Sequence, residues 1–235
     1  MAKAVGLSRN VKLQWLNKAV ELLGENLSET EYKYALNEYL GFEISSAINL
    51  RKTREILMTI WFYDDKEIND IRKKAVELML KYPDYTQPVH WCMILLVYPV
   101  FADICKLIGR ISDFQDEFTL AQLKQKLFDE WGERTTLFHS TDKIIATMKE
   151  LGALSNENRG KYSISRCAIN NDKLINFILM VAIKVGGKSY YTFSEITNMG
   201  ILFPFEYRVS KEQLMAEDTL VINTFGGEIT VAIKE

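Results

Sequence analysis

Thr135, Thr136, His139 and Lys143 stand within WGERTTLFHSTDKI (residues 131–144), and their chemistry is that of hydrogen bonding to an anionic partner. Hydroxyls serve phosphate oxygens or base edges, histidine and lysine donate to acceptors, and none of these groups needs a reacting bond to be useful. Arg134 and Ser140 add a guanidinium and a third hydroxyl in the same stretch. Positions 135, 136, 139 and 143 fall on one side of a helix, because residues three and four apart are neighbours there. Leu137, Thr141, Ile144, Met148 and Leu151 mark the opposite side, with Phe138 and Ile145 widening that apolar stripe. Unpaired N–H groups at the start of such a helix, near Thr135 and Thr136, suit a phosphate oxygen. Asn156, Asn158, Arg159 and Lys161, in or beside a polar turn further on, supply a second arm.

Catalytic and metal chemistry find less support. His90 and Cys92 stand two apart beside Trp91, which invites a metal or a Cys–His nucleophile. The chain has two histidines and no C-x-x-C pair, so a zinc ion would need carboxylates from afar. Cys92 also lies in the most apolar run, VHWCMILLVYPVF (89–101), where a thiol is ordinarily an inert core group. Asp64–Asp65 and Asp116–Glu117 suit the amino ends of following helices. The glycine pairs at 186 and 226 lack the strand-to-helix context of a phosphate loop, and no GxxxxGK[ST] occurs. Tyr190, Tyr191, Phe203, Phe205 and Tyr207 fit the packing of a small β layer better than stacking on bases. No catalytic residue, metal ligand or cofactor is assigned, and the chain reads as non-enzymatic.

The elements that must position these residues follow from periodicity and stop signals. Val11 to Leu23 has helical spacing closed by Gly24; Ser28 with Glu31 is a capping box for a helix through Leu40. Helices are predicted over 49–63 and 66–81, and a core helix over 89–101 interrupted or kinked at Pro99. Thr119 with Gln122 is a second capping box, opening a helix that ends near Glu130; a longer helix runs from Thr135 to Leu151 with Gly152 as its stop. Residues 153–165 read as strand, polar turn, strand. DKLINFILMVAIKV (172–185) is a helix ended by Gly186 and Gly187, FPFEYRVS a strand, Ser210 to Gln213 the cap of a short helix, and TLVINTFGGEITVAIKE two strands around Gly226 and Gly227.

Composition bounds the rest. With 235 residues, 48% apolar and 26% charged, the chain is ordinary globular material, long enough for two or three small domains. A net charge of −2 means that any binding to nucleic acid must come from a local patch. Between Phe118 and Arg166, eight Lys or Arg face six Asp or Glu. The odd cysteine count, three, fits reduced thiols and a cytoplasmic setting. The amino end lacks a continuous apolar signal core, and the 13-residue run at 89–101 is too short as a helix to span a bilayer.

The stretch EFTLAQLKQKLFDEWGERTTLFHSTDKIIATMKELGALSNENRGKYSIS resembles the winged helix-turn-helix superfamily, whose members mostly bind DNA through the third helix and the wing. A helical front half leading into such a module is similar to the BrxA-type accessory proteins of bacterial phage-exclusion (BREX) systems. The expected fold is mainly α: a helical domain over 1–99, a winged helix-turn-helix over 100–167 and a small α/β region over 168–235. The resemblance implies double-stranded DNA as partner, contacted by Arg134, Thr135, Thr136, His139, Ser140 and Lys143 on the helix and Asn158, Arg159 and Lys161 on the wing. Winged helices also dock proteins, so a protein-interaction scaffold stays open as the alternative, with other subunits or a second copy of the chain as partners.

Overall fold

The structure is a computed structural model and describes residues 6–156, 160–216 and 219–234. Among the described residues the chain runs α1 (Leu13–Leu23), α2 (Glu29–Gly41), α3 (Ala47–Trp61), α4 (Asn69–Lys81), α5 (Thr86–Val97), α6 (Pro99–Ser112), β1 (Glu117–Thr119), α7 (Leu120–Trp131), α8 (Thr135–Glu150), β2 (Leu154–Ser155) and β3 (Lys161–Ile164). It continues with β4 (Cys167–Ala168), α9 (Asp172–Gly186), β5 (Tyr191–Thr192), α10 (Phe193–Thr197), β6 (Phe205–Glu206), α11 (Lys211–Met215), β7 (Leu220–Phe225) and β8 (Glu228–Ile233). The fold is mainly α. No single helix among the described residues is long and apolar enough to cross a membrane.

Two compact units share the chain in interleaved segments. The first takes residues up to Val100 together with Trp131–Gly152, and the second takes Phe101–Glu130 with residues from Ala153 onward. The longest polar-faced helix, α8, therefore belongs with the amino-terminal helices.

In the first unit, α1, α2, α3 and α5 close over Leu16, Tyr32, Leu36, Leu57, Trp61 and Trp91, all fully buried or nearly so. The Ser28 capping box forms as its sequence dictates: Ser28 Oγ accepts from Glu31 N, and Glu31 accepts from Ser28 N at 2.9 Å. The Tyr32 hydroxyl, carried inward by α2, donates to Ala19 O at 2.6 Å. α8 is tied into this unit by polar contacts at its carboxyl half. Thr147 Oγ1 accepts from Val11 N at 3.1 Å, and Gln87 Nε2 donates to Leu151 O at 2.5 Å.

The apolar run at 89–101 is interrupted at Pro99 rather than kinked there: α5 ends at Val97, Tyr98 turns extended (φ −120°, ψ 94°) and Pro99 opens α6. The residue before a proline avoids helical angles, and proline fits the first helical position, where no N–H partner is needed.

In the second unit β1, β3 and β2 form an antiparallel sheet in that order, with Phe118 opposite Tyr162 and Leu154 opposite Ile164. α9 is buried without interruption from Leu174 to Ile183, as an all-round apolar helix must be. Gly187 ends it at φ 70°. A third sheet has the order β5-β8-β7, and its β7–β8 hairpin turns on Gly226 and Gly227, both with positive φ as a two-residue hairpin loop requires. The segment FPFEYRVS yields a strand only at Phe205–Glu206, pairing parallel with Cys167–Ala168.

Candidate nucleic-acid interface

α8 starts after Arg134, which is extended (φ −145°, ψ 136°) and whose own side chain does not cap the helix. Its first turn presents Thr135 and Thr136 as exposed residues, and the next presents Phe138 and His139. Asp142, Lys143 and Ala146 are half-buried, and Lys149 and Glu150 are exposed near the end. Leu137, Thr141, Ile144, Ile145, Thr147 and Met148 are buried. The two buried threonines satisfy their hydroxyls locally, Thr141 on Leu137 O at 2.8 Å and Thr147 on Lys143 O at 2.9 Å.

Most of the predicted face is thus at the surface, with two corrections. Ser140 is only 5% exposed, because it lies three residues after Leu137 and four before Ile144, within the stripe that packs inward. It is not available to a ligand. Phe138, expected in the apolar stripe, is instead 44% exposed and stands edge-on to the His139 ring with centroids 5.6 Å apart.

Charge on this face is balanced. From Glu133 to Glu150 the cations Arg134, Lys143 and Lys149 meet the anions Glu133, Asp142 and Glu150. The Arg134 guanidinium lies 5.8 Å over the Trp131 ring, a cation–π contact that restrains its direction.

On the hairpin, Lys161 opens β3 as an exposed residue, and its Nζ meets Glu117 Oε2 at 2.9 Å. Asn156 donates from Nδ2 to Lys161 O at 2.6 Å. Asn158 and Arg159 lie outside the described residues. Glu117 is a partner that sequence reasoning missed: the pairing needs β1 beside β3, and β1 is a three-residue strand whose only signal is buried Phe118 between two half-exposed neighbours.

The other chemistry-bearing groups are structural. His90 is fully buried, its Nε2 is 2.8 Å from Asn17 Oδ1, and the Trp61 ring stands edge-on to it. Burial drives its pKa down to about 3, so the ring is neutral at pH 7. Burial likewise pushes the Cys92 thiol well up, which makes it a poor nucleophile. Among the described residues no three His, Cys, Asp or Glu side chains stand together as a metal site. Arg54 on α3 is half-buried and donates to Glu55 at 2.6 Å and to Asn37 at 3.1 Å.

No protein-family model, curated protein or solved structure matches the chain.

Proposed function

We propose that the chain binds double-stranded DNA without chemistry, through the polar face of α8 as one contact and the β2–β3 turn as another. The observation that carries this reading is the order of elements from α6 to β3: helix, helix, helix, hairpin, with β1 joining the hairpin as a third strand. That order is the one the winged helix-turn-helix resemblance implies. Thr135, Thr136 and His139 are exposed, and Lys143 is half-exposed, so the residues needed on the helix are accessible. A helix with small hydroxylated residues on its outer face can enter a major groove about 12 Å wide. Arg134 and Lys143 serve phosphates, while Asn158, Arg159 and Lys161 serve the turn. The protein then acts as a regulator or as the DNA-contacting subunit of a bacterial assembly, phage defence being the setting its BrxA-type resemblance implies.

A mobility-shift titration with duplex DNA tests this directly. Wild type gives a salt-sensitive shift that disappears in the Lys143→Ala/Arg159→Ala double variant. A shift that survives the double substitution, or none at all, overturns the reading.

The exposed Phe138 on a charge-balanced face favours a second reading, in which α8 docks a protein partner. Under that reading Phe138→Ser abolishes capture of the partner, and duplex DNA is not bound.

A further inference from the structure

The second unit holds a cavity of about 520 Å³ that the residues assigned to DNA do not use. Lys106 and Arg110 enter it from α6, one helical turn apart; Arg166 enters from the chain between β3 and β4, and Lys188 from the chain after α9. Asp113 and Glu195 are the carboxylates on its wall, so four positive charges face two negative ones in a chain of net charge −2. Composition alone does not produce such a concentration.

Each cation has a different degree of commitment. Lys188 Nζ is 2.7 Å from Glu195 Oε1 and 5.0 Å from the Tyr191 ring centroid, so its charge is largely answered within the wall. Lys106 is steadied by Asp103 at 3.3 Å. Arg110 reaches Glu130 only at 3.7 Å, with 66% of its side chain exposed, which makes that pair weak. Arg166 donates from Nη1 to Phe203 O at 3.0 Å, and no other hydrogen bond or ion pair holds it among the described residues. One N–H therefore anchors the guanidinium on the wall, and its remaining donors form the planar fork that matches a phosphate.

The walls are closely built. A Cβ at Gly109 would stand 2.3 Å from Gly200 O, and one at Gly186 would stand 1.7 Å from the Tyr191 hydroxyl. Backbone meets backbone in one place and a phenol in the other, so the cavity is bounded by fitted contacts. Ile201 and Phe203, both nearly buried, add an apolar side. The volume falls within the range of about 300–1,000 Å³ usual for small-molecule sites.

We propose that this cavity binds a small polyanion of the diphosphate class, with Arg166 and Arg110 meeting the phosphates first and Lys106 and Lys188 supplying the surrounding field. The surplus of two positive charges on the wall matches a polyanion better than a monoanion, and the apolar side admits a nucleoside attached to the diphosphate.

Titration calorimetry of the full chain with inorganic pyrophosphate, and separately with ADP, tests the site. Wild type binds pyrophosphate saturably at one site; Arg166→Ala weakens binding by about tenfold or more, Arg166→Lys by less, because the fork is lost while the charge stays. Lys143→Ala leaves it unchanged. ADP binding at least as tightly as pyrophosphate supports the apolar side. Should Arg166→Ala fail to fold by circular dichroism, Lys188→Ala is the second variant and must weaken pyrophosphate binding as well. Absence of saturable binding in wild type, or equal binding by the folded variants, overturns the site. Duplex binding is read separately, so either outcome here leaves the test of α8 independent.

Discussion

Lys161 shows how one neighbour sets what a cation can offer. Its Nζ is engaged by Glu117 at 2.9 Å, and both side chains are partly exposed, so the pair is weak enough for a phosphate to replace. Glu117→Gln should raise duplex affinity by about two- to fivefold and steepen its salt dependence, whereas Lys161→Ala should flatten the slope by roughly 0.9; fluorescence anisotropy across a salt series checks both. His90 makes a separate prediction. Its folded pKa is depressed to about 3 from the ordinary 6.5, so the unfolded chain takes up the proton first. The stability this neutral ring contributes is complete above pH 6.5 and is lost as pH falls toward 3, at up to about 1.4 kcal/mol per pH unit. Urea unfolding between pH 6.5 and 5 should show that slope in wild type and lose it in His90→Gln. Below the ordinary carboxylate range Glu43 adds loss of the same sign, because Lys12, Trp15 and Gln14 hold its pKa near 2.

At the scale of elements, the sequence signals that survived are those with a local mechanism. The boxes at Ser28–Glu31, Thr119–Gln122 and Ser210–Gln213 all form, and Gly152 and Gly187 take the left-handed angles that stop α8 and α9. Each depends on atoms a few residues apart. The strands β1, β4 and β5 were not legible, because pieces of two or three residues exist only through distant partners such as Ser163, Phe205 and Val231. Two glycines separate backbone angle from packing. Gly152→Ala meets no atom within 4 Å but must hold φ near 73°, so it should cost about 1 kcal/mol. Gly109→Ala drives a methyl into Gly200 O, and overpacking against backbone should cost about 1–3 kcal/mol or more. Thermal unfolding of the two variants, with Gly109→Ala the lower, checks the ranking.

Across the whole molecule, the sequence pointed to a mainly α chain, and the helices of the candidate site appear at the expected positions within a few residues. The grouping of those helices was not legible. α8 shares a unit with the amino-terminal helices through Thr147 and Leu151, contacts to Val11 and Gln87 that no periodicity encodes. Ser140 was misplaced for a related reason: a hydroxyl looks like surface until the packing on both turns beside it is known. With a net charge of −2 the molecule has no general attraction for a polyanion, so the DNA proposal stands on a few local cations. The salt dependence of duplex affinity measures that number most directly. If about four phosphates are neutralised, log affinity against log salt has a slope near −3.6, reduced to about −2.7 in either single variant, Lys143→Ala or Arg159→Ala. A slope that neither single substitution changes, or wild-type duplex affinity too weak to measure even at low salt, would contradict it.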